Sequence, residues 1–80
     1  MEFQMWRLPR VIEARGKGRE STYNDVRRGL LTPPVAIGAR AKAWPSHEVE
    51  AINSARLAGK SDDEIRALVA RLIAARREAA

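Results

Sequence analysis

Residues 8–29 read LPRVIEARGKGRESTYNDVRRG, and this stretch decides the fold. Leu8, Val11 and Ile12 recur at helical spacing, and the proline that follows Leu8 suits a first helical turn, where its missing N–H is not needed. Glycines follow this helix and the next one, because glycine readily adopts the left-handed backbone that ends helices. The stretch therefore predicts two short helices, the second over residues 19–28, joined by a glycine-containing turn, which is a helix-turn-helix pattern.

The segment after the second helix predicts a short hairpin. Two consecutive prolines exclude helix at its start. Val35 and Ile37 then alternate as in a strand. Beyond a Gly-Ala turn, Arg40, Lys42 and Trp44 alternate in the same way and predict a second short strand. A hairpin that follows a helix-turn-helix is a wing, and we expect Trp44 to pack between this wing and the first two helices.

A third helix is predicted to begin at Pro45 or Ser46 and to end at Gly59. Its apolar residues are Val49, Ile52 and Leu57. We expect this helix to complete the core of the domain.

The last helix is predicted by its capping residues and by its apolar stripe. Ser61 can accept a hydrogen bond from the amide of Glu64, whose carboxylate can reach back to the amide of Ser61. The stripe consists of Ile65, Leu68, Val69, Leu72 and Ile73. Either the domain's own third helix or a neighbouring protomer must cover it, and the second option is self-association.

These elements together predict a mostly α fold with a small β-hairpin wing. Eighty residues form one core at most. We expect residues 1–58 to form a winged helix-turn-helix DNA-binding domain. Residues 59–80 would form the C-terminal amphipathic helix, used for packing or for self-association.

The composition excludes several kinds of site and location. There is no cysteine and only one histidine, which excludes disulfides, iron–sulfur clusters, thiolate zinc sites and two-histidine metal motifs. No stretch approaches the roughly 18 apolar residues of a membrane helix, and the first residues lack the pattern of a signal peptide. We therefore expect a cytoplasmic protein that is associated with the bacterial nucleoid when bound and has no membrane partner.

No set of residues supports catalysis. Gly16, Lys17 and Gly18 lack the ending and the preceding strand of a phosphate-binding loop. Asp62 and Asp63 are explained by the cap of the last helix. A nucleophile–histidine–acid triad would have to use His47, but this residue follows a helix start, and we expect it to stack on a neighbouring turn or to cap it. The sequence thus predicts a binding protein rather than an enzyme, with no catalytic residue, metal or cofactor.

The positive charge is concentrated in the first half of the chain. The net charge is +5. Residues 1–44 carry nine basic and four acidic side chains, whereas residues 45–80 carry six of each. This distribution favours a polyanionic partner for the first half, and the basic residues flank no strongly apolar helix face that would favour a membrane surface.

Double-stranded DNA fits this half because an α-helix enters the major groove with its N-terminal residues directed at base edges. In the second helix those residues are Arg19, Glu20, Ser21 and Asn24. Arginine pairs with guanine and asparagine with adenine, while Ser21 or Tyr23 can hold a phosphate.

Four more basic residues are candidate DNA contacts, each with a structural alternative. Arg27 and Arg28 can touch the backbone, but their position at a helix end also favours the helix dipole. Arg40 and Lys42 can reach a phosphate or the minor groove from the wing. The alternative for this pair is an ordinary solvated turn.

The sequence resembles the AlpA-like family of phage and mobile-element regulators, which belongs with MerR-like winged helix-turn-helix proteins and excisionases. The motifs that carry the resemblance are LPRV (8–11), RESTY (19–23), GLLTPPV (29–35), IGARA (37–41) and WPSHEV (44–49). Their order and spacing extend over about residues 6–76. The sequence departs from the family at Asn24, where many relatives have arginine, and at Glu20 and Gly18, where they have serine or threonine.

The resemblance implies a recognition helix around residues 19–28, a wing around residues 40–42 and control of an integrated mobile element. Such a protein acts as an excisionase-type recombination directionality factor or as a transcriptional regulator of integrase and excision genes. The implied partners are double-stranded DNA, a second copy of the chain and an integrase. A third hypothesis is a non-DNA interaction module, such as an antitoxin or an adaptor, whose partner affinity would not depend on salt.

Overall fold

The computed structural model describes residues 2–78. In chain order the elements are β1 (Met5–Trp6), α1 (Leu8–Arg15), α2 (Arg19–Arg27), β2 (Val35–Ala36), β3 (Lys42–Pro45), α3 (Ser46–Leu57) and α4 (Asp62–Glu78). The prediction of a mostly helical fold with a small antiparallel sheet is confirmed. Met1, Ala79 and Ala80, at the ends of the two predicted segments, lie outside the described residues.

The first two helices and their turn form as the sequence predicted. Gly16 follows α1 with a φ of 70°, and its N–H donates to the carbonyl of Ile12 at 2.9 Å. Gly29 follows α2 with a φ of 75°. The N–H of the next residue, Leu30, donates to the carbonyl of Asp25 at 2.8 Å, which closes the helix in a Schellman motif.

The sheet contains one more strand than the hairpin that was predicted. The β2–β3 hairpin is present, with Ala36 opposite Lys42. On the other side of β3, Trp6 of β1 lies opposite Trp44, so that the strand order is β1-β3-β2. β1 was not predicted, because two residues are too few to show an alternation. The predicted second strand also begins later than expected, because Arg40 lies in the turn before β3.

The core lies between α1, the sheet and the last two helices. Its buried apolar residues are Val11, Leu30, Leu31, Trp44, Val49, Ile52, Ile65 and Val69. Trp44 is 1% exposed, and its Nε1 donates a hydrogen bond to the carbonyl of Thr32 at 2.7 Å. It shares the core with Val11 of α1, and its ring centroid lies 6.0 Å from that of Tyr23 of α2, so the prediction that it packs against the first two helices is confirmed. The prediction that Leu57 is an apolar packing residue of α3 is wrong, since its side chain is 91% exposed.

The last helix closes the core. Its predicted cap is present: the N–H of Ser61 donates to Glu64 Oε1 at 3.0 Å, and the N–H of Glu64 donates to Ser61 Oγ at 3.2 Å. Ile65 and Val69 are buried in the domain's own core. The self-association prediction is therefore wrong for these two residues, because a neighbouring protomer cannot reach them. Leu68 and Leu72 are partly buried against the core and Ile73 is exposed, so for these three it stays a prediction.

A buried ion pair fixes the end of α4. Glu48, in the first turn of α3, is fully buried. Arg76 donates to both carboxylate oxygens of Glu48, from Nε at 2.8 Å and from Nη2 at 2.6 Å. Nη2 also donates to the carbonyl of Pro33 at 2.8 Å. One arginine thus ties the end of α4 to the start of α3 and to the segment that leads into β2.

Candidate nucleic-acid interface

A basic groove of about 740 Å³ lies between the start of α1, the first turns of α2 and the β2–β3 hairpin. Four basic side chains line it: Arg7, Arg19, Arg40 and Lys42. The remaining lining residues are Leu8, Pro9, Ile12 and Tyr23. Three separate elements therefore direct positive charge at the same surface.

The local structure explains how these side chains meet. Arg7 stands directly before α1, held there because the preceding residue, Trp6, pairs with β3. The N–H of Ile37 donates to the carbonyl of Ala41 at 2.9 Å, which closes the hairpin and places Arg40 in its turn. Lys42 begins β3.

The charges of the groove are not neutralised from within the protein. Among residues 2–78, Arg7, Arg19, Arg40 and Lys42 form no ion pair, and no acidic side chain lines the groove. The guanidinium of Arg19 lies 5.8 Å from the centroid of the Tyr23 ring. Unpaired guanidinium and ammonium groups of this kind bind phosphate oxygens through charge-assisted hydrogen bonds.

Other basic residues of the first half form ion pairs within the protein. Arg15 donates to Asp25 Oδ2 at 2.5 Å, and Lys17 donates to the same oxygen at 2.9 Å. Arg10 pairs with Glu13 at 3.1 Å. Most basic side chains of the first half that form no ion pair therefore line the groove.

Asp25 is buried beneath the turn between α1 and α2. Burial alone would raise the pKa of its carboxyl group. The hydrogen bonds and the charges of Arg15 and Lys17 outweigh burial, so that the pKa of Asp25 lies below its ordinary value of 3.8. The two helices are therefore tied together by a carboxylate that stays ionised under all but strongly acid conditions.

This arrangement predicts a specific loss of stability in acid. The contribution of Asp25 is fully present above pH 3.8 and is lost as the pH falls through its lower, folded-state pKa. Asp25→Asn should lower the free energy of unfolding at neutral pH and make its decline in acid less steep, because a carboxyl group with a lowered pKa is removed. Urea unfolding across a pH series measures both effects. Glu20→Gln, at an exposed position on the same helix, is the control, and equal acid dependence in wild type and Asp25→Asn would refute the prediction.

The remaining predicted DNA contacts lie on the exposed surface of α2 or at its end, outside the lining of the groove. They are Glu20, Ser21, Asn24, Arg27 and Arg28. Arg27 donates a hydrogen bond to the side chain of Asn24. Arg28 lies 4.0 Å from Asp62, and its carbonyl accepts a hydrogen bond from Arg66 at 2.9 Å. Arg28 is thus directed towards the start of α4 rather than towards the hairpin.

Arg7 is the groove residue that the sequence did not single out. It precedes the LPRV motif and is one of nine basic residues in the first half, with nothing in its spacing to distinguish it. Only the pairing of β1 with β3 shows that the start of α1 lies beside the hairpin.

Two further findings concern other kinds of site. Within residues 2–78 there is no group of three or more histidine, cysteine or acidic side chains arranged to hold a metal ion. None of the helices described is long and apolar enough to cross a membrane. His47 lies against Phe3, with 4.8 Å between the ring centroids.

Comparison with known proteins gives one relative and no family. Over 54 residues the chain is 35% identical to a protein of Enterobacteria phage P4 that is described as the uncharacterized protein ORF88. The match covers 68% of this chain and 61% of the phage protein, so the chain corresponds to less than two thirds of that relative. No family model and no solved structure matches the chain.

Proposed function

We propose that this chain is a double-stranded DNA-binding protein of the MerR-like winged helix-turn-helix type and not an enzyme. The observation that carries the proposal is the basic groove, in which Arg7, Arg19, Arg40 and Lys42 converge without an intramolecular counter-charge. In this proposal α2 is the recognition helix and the β2–β3 hairpin is the wing. The resemblance to AlpA-like regulators supports the same assignment.

The dimensions of the two partners agree. An α-helix with its side chains is about 10–12 Å across, which matches the roughly 12 Å width of the major groove. With α2 in that groove, the exposed side chains of Glu20, Ser21 and Asn24 would face base edges, together with Arg19. Arg7 and Lys42 would hold the phosphates of the strand that passes between α2 and the hairpin. Arg40, in the hairpin turn, would reach the next phosphate or the minor groove.

We further propose that DNA binding serves an integrated mobile element. As an excisionase-type directionality factor, the protein would occupy repeated sites beside a recombination site, bend the DNA and favour excision by an integrase. The phage origin of the relative fits a protein of this kind.

The alternative function for the same fold is an AlpA-type regulator that binds a promoter of integrase or excision genes. Footprinting separates the two, since a directionality factor protects several adjacent sites near a recombination site and a regulator protects a promoter.

The groove makes a direct prediction about binding free energies. On a single-site duplex selected from a random pool, Arg19→Ala should cost about 1–3 kcal/mol and relax the preference at one base position. Lys42→Ala and Arg7→Ala should weaken binding to all sequences alike and reduce the salt slope by about one unit each. Titrations on the selected and on a random duplex, each at several salt concentrations, measure these differences.

The control for this experiment is Arg71→Ala, which removes an exposed arginine from α4 and should leave single-site binding unchanged. If Arg19→Ala weakens binding to selected and random DNA equally, α2 is not the recognition helix. If salt has no effect on affinity for any partner, the protein is an interaction module of another kind.

A further inference from the structure

The most exposed large apolar side chain in the described part of the chain is Leu57, which is 91% exposed near the end of α3. A single exposed leucine is ordinary on a protein surface. A second surface feature, formed by α3 and α4, indicates what this leucine can bind.

That feature is a depression of about 220 Å³ between α3 and α4. Its apolar residues are Ala55, Ala67 and Leu68, and its charged residues are Lys60, Glu64 and Arg71. A cavity of about 150 Å³ is large enough for a six-carbon ring, so this depression accommodates the four-carbon side chain of a leucine.

Leu57 cannot fill the depression of its own chain. It lies two positions after Ala55 on α3, and two residues correspond to about 200° around a helix. The projecting leucine and the side of Ala55 that lines the depression therefore point to nearly opposite sides of α3. A leucine that enters this depression must come from another molecule.

One charged residue beside each feature carries a charge of opposite sign: Glu50 on the side of Leu57, and Arg71 at the depression. Glu50 lies seven residues before Leu57, which places it on the same side of α3. Arg71 lies one turn after Ala67, at the edge of the depression. Within residues 2–78 neither Glu50 nor Arg71 forms an ion pair, and both are exposed.

We propose that a second copy of this chain inserts its Leu57 into the depression between α3 and α4, with its Glu50 beside Arg71. The contact joins two different surfaces, so it is heterologous and leaves an unused leucine at one end and an unused depression at the other. Association therefore continues beyond a dimer as the concentration rises. This contact uses one residue of the predicted self-association stripe, Leu68, and does not depend on DNA binding.

A complementation experiment tests the arrangement. Leu57→Glu removes the projecting side chain, and Ala67→Trp fills the depression. Each variant alone should self-associate at least about tenfold more weakly than the wild type, because the buried leucine supplies most of the apolar contact, and should therefore be monomeric at concentrations where the wild type associates. An equimolar mixture should form a 1:1 complex of twice the chain mass of 8.9 kDa and grow no further, since each partner retains one competent surface. Sedimentation velocity on the wild type, each variant and the mixture measures this.

The matched control is Ile37→Glu, which makes the same kind of change at another exposed apolar residue, in the hairpin turn, and should associate like the wild type. Thermal melts verify that the variants are folded. If Ala67→Trp does not fold, Arg71→Glu replaces it and should weaken association, with partial recovery when it is mixed with Glu50→Arg. A wild type that is monomeric at every concentration, a wild type that stops at a dimer, or a mixture that stays monomeric would each overturn the proposal.

Discussion

Replacing Arg76 with alanine should lower the free energy of unfolding by about 3–5 kcal/mol, because it leaves a buried carboxylate without its partner. Glu48 is fully buried, and both of its oxygens accept hydrogen bonds from Arg76. The same change removes the hydrogen bond to the carbonyl of Pro33. A natural domain has a total stability of about 5–15 kcal/mol, so this loss would consume much of it. Urea unfolding at neutral pH measures the difference.

The adjacent residue supplies the control. Arg77 is exposed and forms no ion pair among residues 2–78, so Arg77→Ala should stay within about 0.5 kcal/mol of the wild type. Arg76→Ala combined with Glu48→Gln separates the cost of the unpaired charge from the loss of packing. The double variant should recover part of the stability, because a neutral amide is less costly to bury than a carboxylate. If the two arginine variants are equally stable, the pair contributes nothing and α4 is held by apolar packing alone.

The sequence predicted those elements whose signals are local. Glycines 16 and 29 end the first two helices as expected, and both hydrogen bonds of the Ser61 and Glu64 cap are present. Each of these features depends on residues within five positions of one another. Local chemistry of this kind is independent of the rest of the fold, and therefore it can be inferred from sequence.

The contacts that the sequence did not predict join residues far apart in the chain. Trp6 pairs with Trp44 across 38 positions, and Glu48 meets Arg76 across 28. An acidic residue in a first helical turn is already explained by the helix dipole, so Glu48 carried no sign of a partner. A two-residue strand likewise has too few side chains to show a period.

The sequence predicted which part of the chain carries the candidate interface, but not which of its basic side chains line the groove. Composition placed the positive charge in residues 1–44, but it did not distinguish bound from unpaired side chains. Arg15 and Lys17 are both paired with Asp25, whereas Arg7 and Arg19 form no ion pair at the groove. The decisive information is the position of a few carboxylates, which depends on tertiary packing.

The apolar stripe of α4 illustrates the same limit. Its spacing defined which residues share a face but not what covers that face. In the structure α4 packs against α3 and buries Ile65 and Val69 in the domain's own core, while Leu57, whose spacing suggested a core residue, projects into solvent. A periodic pattern identifies a covered face most securely in the middle of a helix, and Leu57 is the final residue of α3.

Replacing Trp44 with alanine should lower the free energy of unfolding by about 3–5 kcal/mol, since it empties the largest buried position in the described chain. Trp44 lies on the central strand, opposite Trp6, and its ring centroid is 6.0 Å from that of Tyr23. The loss should therefore loosen the hairpin from α2 as well as the core. Chemical unfolding measures the stability, and DNA titration would show whether the hairpin is displaced.

Two further variants identify what Trp44 contributes. Trp44→Phe keeps an aromatic ring but leaves the carbonyl of Thr32 without its donor, so it should cost about 1–3 kcal/mol, less than alanine. Trp6→Ala, at the half-buried tryptophan on the neighbouring strand, should also cost less than Trp44→Ala, because less apolar surface is lost. The single tryptophan that remains in Trp6→Ala should emit at a short wavelength, as expected for a buried indole. Equal melting of Trp44→Ala and wild type would mean that the hairpin is held without this side chain, and that the pairing of β1 with β3 positions it instead.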